Sequence, residues 1–165
     1  MKTQPYFDIF QKSLDHLDHE LFGQNNLELN VGIWLNCVVL KIQKETWHNQ
    51  PTAAQPFQQS IFFSVWINDE GTNESKLYYN IHALKLRELK GYSIKSREFA
   101  EAFRVRFKVF EKEWPNVSTQ FGPLTLMEGW IKIDGNDFED HITTLANKFL
   151  AIQFIIDDLL GERKK

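Results

Sequence analysis

The stretch SIFFSVWINDEGTNESKLYYNIHALKL, residues 60–86, limits the available folds more than any other part of the chain. Its two ends alternate with a period of two and are rich in aromatic and β-branched residues, while the centre, NDEGTNES, has the composition of a turn. This pattern predicts an antiparallel hairpin turning at 68–75. The register that follows puts Ile61, Phe63, Val65 and Ile67 on one face with Leu77, Tyr79, Ile81 and Ala83. That face is wholly apolar and belongs in a core. The other face pairs Phe62 with His82, Ser64 with Asn80 and Trp66 with Tyr78, mixing aromatic and polar side chains.

Upstream, LELNVGIWLNCVVLKIQ alternates over 27–43 and predicts one long strand. Leu27, Leu29, Val31, Ile33, Leu35, Cys37 and Val39 share its apolar side, so the Cys37 thiol is expected to be buried and inert. Trp34 falls on the opposite side. A change of polarity near 38–42 predicts a bulge or twist there.

Three helices are expected. The first runs over 5–22, with Tyr6, Phe10, Leu14, Leu17 and Leu21 forming one apolar stripe. The second starts at Ser96 and stops before Pro115, burying Phe99, Phe103, Phe107, Phe110 and Trp114. The third runs from 137 to 160. Another strand lies within 122–135, and 46–59 reads as a surface loop. The order α-β-β-β-α-β-α predicts an α+β fold: a single, mainly antiparallel sheet, made of a three-strand meander plus a fourth strand, with helices packed on it. No repeat or linker divides the chain, so residues 1–165 are expected to form one domain.

Composition removes several function classes. A single cysteine excludes an intramolecular disulfide and a multi-cysteine zinc site. The N-terminus lacks an apolar signal core, and no apolar run is long enough for a bilayer span, so a cytoplasmic location without membrane insertion is expected. Net charge is −3, but residues 85–112 carry nine Lys and Arg against four Glu. A basic strip on an acidic body keeps a nucleic-acid-binding or nuclease-like role as the alternative reading, with Lys85, Arg87, Arg97, Arg104 and Lys108 on phosphates. Against it, the aromatic residues of that helix point away from its charges, whereas a nucleic-acid platform interleaves the two.

No catalytic constellation is legible, and no cofactor is expected. In DHLDHE, residues 15–20, His16 with Glu20 and Asp15 with His19 form helical i,i+4 pairs, which makes His16, His19 and Glu20 weak metal candidates, with no obvious third ligand elsewhere. At the level of element order alone, the chain resembles nucleases of the PD-(D/E)xK type. That resemblance implies a metal-binding carboxylate such as Asp69 and an acid-x-Lys pair, for which Glu88 and Lys90 have the spacing but lie past the strand end. The same order resembles small acidic secretion chaperones.

The strongest interaction signal is the last helix, where Phe138, Ile142, Leu145, Phe149, Ile152, Ile156 and Leu159 form a heptad-like seam. Its apolar girth predicts burial between two layers or a homodimer interface built on Phe149, Ile152, Ile156 and Leu159. The leading expectation is therefore a non-enzymatic protein-interaction module, an adaptor, chaperone-like factor or regulatory subunit. It would bind a protein partner or a second copy of itself, with Trp34, Ser64, Trp66, Tyr78, Asn80 and His82 on the partner-binding face.

Overall fold

In a computed structural model, which describes residues 3–55 and 59–165, the expected long strand is a hairpin. Strand β1 covers Leu27–Trp34 and β2 covers Cys37–Lys44, paired antiparallel from Leu27↔Lys44 to Trp34↔Cys37. Leu35 and Asn36 form the two-residue turn, with φ of 50° and 61°. Positive φ at both positions is the type I′ arrangement, whose twist matches that of the strands it joins. Leu-Asn lacks the glycine that usually announces it. The turn also explains the polarity change. It shifts the inward set from odd to even positions, so Val38, Leu40 and Ile42 are fully buried. Cys37 lands on the opposite face from the one expected and is half-buried, and Leu35 is exposed at the tip.

Strand β3, Ile61–Ile67, pairs with β2, and β4, Lys76–Ala83, pairs with β3 in the predicted register, including Phe62↔His82, Ser64↔Asn80 and Trp66↔Tyr78. Their connection is a short helix, α3 (Asp69–Glu74). The Asn68 Oδ1 caps it by accepting from the Gly71 N–H at 2.8 Å. Strand β5, Thr125–Lys132, completes an all-antiparallel sheet in the order β1-β2-β3-β4-β5. The sheet thus has five strands rather than a meander of three plus one, because the first predicted strand is two.

The helices cover one face. Helix α1 (Thr3–Asp15) and α2 (His19–Gln24) replace the single helix expected over 5–22. Between them, His16 and Leu17 bond back three residues, and Asp18 caps α2 by accepting from the Leu21 N–H. The break rotates the apolar stripe, burying Phe22 while Leu21 stays exposed. Helix α4 (Ser96–Phe107) buries Phe99, Phe103 and Phe107 as expected. The last helix is divided at Gln153 into α5 (Phe138–Ile152) and α6 (Phe154–Gly161).

The core is aromatic. Phe149 stacks on Phe63 with ring centres 4.5 Å apart, and Trp47 meets Phe149 edge-on at 5.9 Å. Trp47 sits in the segment expected to be surface loop, whose residues 56–58 lie outside those described. It is fully buried in a 3₁₀ turn that extends β2. Tyr79 donates from its hydroxyl to the Pro115 carbonyl at 2.7 Å, over Gly129. A Cβ at Gly129 would stand 2.3 Å from that hydroxyl oxygen, so only glycine allows the approach.

Candidate interaction surface

The face of the sheet turned away from the helical core is organised in rows that run across the strands. The pairing of all five strands aligns Asn30, Lys41, Ser64, Asn80 and Glu128 as a polar row. Beside it run Gly32, Val39, Trp66, Tyr78 and Trp130. The gap at Gly32 is filled by its neighbour. The Trp34 ring lies over the glycine, where an added Cβ would meet the indole at 2.6 Å. The second row therefore presents aromatic groups from β1 to β5, interrupted only by Val39. Trp66 and Tyr78 stack at 5.4 Å.

Cations are held among these rings. The Lys41 Nζ lies 4.3 Å from the Trp34 ring centre and 4.7 Å from that of Phe62, and donates to Gln59 Oε1 at 2.8 Å. Burial between the rings lowers the Lys41 pKa from its ordinary value. The Lys76 Nζ lies 4.3 Å from the Trp130 ring centre and pairs with Glu74 at 3.2 Å.

A hydrogen-bonded chain crosses the middle of the polar row. The Ser64 hydroxyl donates to Asn80 Oδ1. The Asn80 amide donates to His82 Nε2 at 2.8 Å and to Glu128 Oε1 at 3.2 Å. Ser64 and Asn80 are buried, yet each has its partners. His82 lies tilted against Phe62. Its pKa falls below the ordinary imidazole value, chiefly through burial, with Lys41 adding to the fall and a bond to the Leu124 backbone opposing it. The imidazole is thus neutral, accepting at Nε2. An asparagine stands between the serine and the histidine, so this geometry gives the hydroxyl no base. The chain fixes side chains on a surface rather than activating a nucleophile.

Trp34, Ser64, Trp66, Tyr78, Asn80 and His82 lie together on the open face of the sheet. Sequence reasoning missed Lys41 and Val39, because the hidden turn at 35–36 reverses their facing. It also missed Glu128 and Trp130, whose alternation in TLMEGWIK was visible but whose partner strand was not assigned.

Other expectations are corrected. Phe149, Ile152, Ile156 and Leu159 are each at most 3% exposed within one chain. The seam packs on the chain's own sheet and helices, and offers nothing to a second copy. Arg104 is not available to phosphates: its guanidinium donates to the carbonyls of Leu126, Phe121, Gly122 and Thr125 at 2.9–3.2 Å. Lys85, Arg87, Arg97 and Lys108 are exposed.

His16, His19 and Glu20 straddle the break between α1 and α2 and turn apart. His16 meets Glu139 at 3.5 Å, His19 bonds the Leu14 carbonyl at 2.6 Å, and Glu20 accepts from Gln24 at 3.5 Å. No group of three or more metal-ligating side chains occurs among the described residues. Asp69 follows the end of β3, whereas Glu88 and Lys90 follow the end of β4, so the antiparallel pairing sends them to opposite ends of the sheet.

A cleft of about 720 Å³ opens elsewhere, lined by Glu28, Lys44, Tyr92, Asp157 and Lys164 among others. Within its lining, buried Lys44 meets Asp157 at 2.5 Å, and the Trp47 indole donates to the same carboxylate at 2.8 Å. The pair ties α6 to the end of β2.

Among the described residues, no helix is long and apolar enough to cross a membrane. No protein-family model, curated protein or solved structure matches the chain.

Proposed function

We propose that the chain is a non-enzymatic interaction module that binds a protein partner on the open face of its sheet. The observation that carries this reading is the aromatic row spanning β1 to β5, partly exposed and backed by a hydrogen-bonded polar row. Trp and Tyr on rigid elements supply large contact area at little entropic cost and dominate the energy of protein interfaces. The charges around the row, Lys41, Lys76 and Lys132 against Glu28, Glu70, Glu74 and Glu128, carry no excess of cations. Such a surface suits a polypeptide better than a polyanion.

Photo-crosslinking from two positions of the full chain tests the reading. A photoreactive residue at Gln43, on the open face, should trap a partner that a photoreactive residue at Arg97, on α4, does not. The purified partner should then bind the wild type and lose affinity for Trp130→Ala. A partner trapped from Arg97 alone, or bound equally by Trp130→Ala, overturns it.

A further inference from the structure

We propose that the outer edge of β1 pairs antiparallel with β1 of a second copy, joining two sheets into one. This inference is independent of the partner-binding reading, because it concerns the strand edge and not the face.

The two edges of the sheet differ. β5 is bridged on its far side by Ser118, whose backbone exchanges hydrogen bonds with Glu128 at 2.8 and 3.0 Å. Among the described residues, β1 is paired with β2 alone. The two-residue turn makes Trp34 and Cys37 the closing hydrogen-bonded pair, so alternate residues of β1 direct their N–H and C=O outward. Those residues are Leu27, Leu29, Val31 and Ile33. Between Leu29 and Ile33 no proline, no lysine and no bulge guards the edge. Leu27 is buried, whereas exposure grows along the strand and reaches 47% at Ile33.

The chemistry of this edge selects a second copy as its occupant. The sequence Leu29-Asn30-Val31-Gly32-Ile33 is symmetric in character about Val31: apolar at both ends, polar or small between. A two-fold axis through Val31, normal to the sheet, keeps both copies' apolar faces on the same side. It sets Leu29 opposite Ile33 of the partner and Val31 opposite its own copy. All three are outward-bonding positions, so the unpaired backbone groups meet donor to acceptor. Glu28, the one charged residue of the strand, faces Trp34 of the partner subunit rather than another charge. The open faces of the two copies then form one continuous surface.

Edge pairing alone buries less than a standard interface of about 1,600 Å², so the dimer should form toward the upper part of a concentration series. Sedimentation of the full chain should shift from 19.5 kDa toward twice that mass as concentration rises. Over the same series, the amide protons of Leu29, Val31 and Ile33 should exchange at least tenfold more slowly, while those of Asn30 and Gly32 stay slow throughout. Ile33→Lys places a guarding charge at a half-exposed position and should hold the chain monomeric with an unchanged melting temperature. Should that variant prove unstable, the alternating exchange pattern in the wild type decides alone. A monomer at all concentrations, or a dimer in which those three amides exchange freely, overturns the proposal.

Discussion

Asn80 donates to the Nε2 of His82 across 2.8 Å, and that bond is available only while the imidazole is neutral. Protonation would set two donors against each other on the open face. Burial, with Lys41 adding to it, holds the His82 pKa of the folded protein below its ordinary value of 6.5. The unfolded chain takes up the proton first, so His82's contribution is fully present above the unfolded value and is lost as pH falls through it toward the folded one. Denaturant midpoints measured between about pH 7 and pH 5 should fall with pH, and His82→Gln, which keeps an acceptor and does not titrate, should flatten that slope.

Arg104 is a brace. Its fork reaches four carbonyls of the segment 121–126, tying that segment to α4. Arg104→Ala should cost about 2 kcal/mol in chemical denaturation, since bonds from a charged donor are worth more than neutral ones. Arg104→Lys should recover only part of it, because a point charge lacks the planar fork. Limited proteolysis should find the segment around Phe121 and Leu124 opened in the alanine variant. Equal stability of the three proteins would mean that the brace contributes nothing.

Phe149 is the central ring of the core, stacked on Phe63 and met by Trp47. Phe149→Ala should cost about 3–5 kcal/mol through lost burial and the cavity left behind. The loss should be the same at every protein concentration. A penalty that grows as the protein is concentrated would instead place this residue in an interface between chains.

The division between what the sequence revealed and what it concealed has a physical basis. The β3–β4 register was legible because period-two alternation on both strands, with a turn at 68–75, put Ile61, Phe63, Val65 and Ile67 on one face with Leu77, Tyr79, Ile81 and Ala83. The hairpin at Leu35–Asn36 was concealed because neither residue is a strong turn former, and alternation continues through the turn with only its phase reversed. That phase decides where Lys41 and Cys37 point, so half of the candidate surface depended on it. The last helix misled for another reason. An all-round apolar helix looks the same in sequence whether its cover is the same chain or another, and here Phe63, Trp47 and the other helices supply the cover.

Lys44 and Asp157 form a pair with unequal burial, the lysine side chain 8% exposed and the carboxylate 39%. Removing the carboxylate strands a buried ammonium. Asp157→Ala should therefore destabilise by about 2 kcal/mol, below the cost for a fully buried pair. Adding Lys44→Met should restore most of the loss. If the double variant is no more stable than Asp157→Ala, the penalty lies in the lost Trp47 bond at 2.8 Å instead.

The central claim is that the aromatic row on the open face is a binding surface. The most direct test is the affinity of the purified crosslinked partner for three proteins: the wild type, Trp130→Ala on the row, and Arg97→Ala on α4. Trp130→Ala should lose about tenfold or more, the scale of a buried aromatic anchor, and Arg97→Ala should not change, with both variants folded as the wild type. Unchanged affinity for Trp130→Ala, or a loss confined to Arg97→Ala, would contradict it.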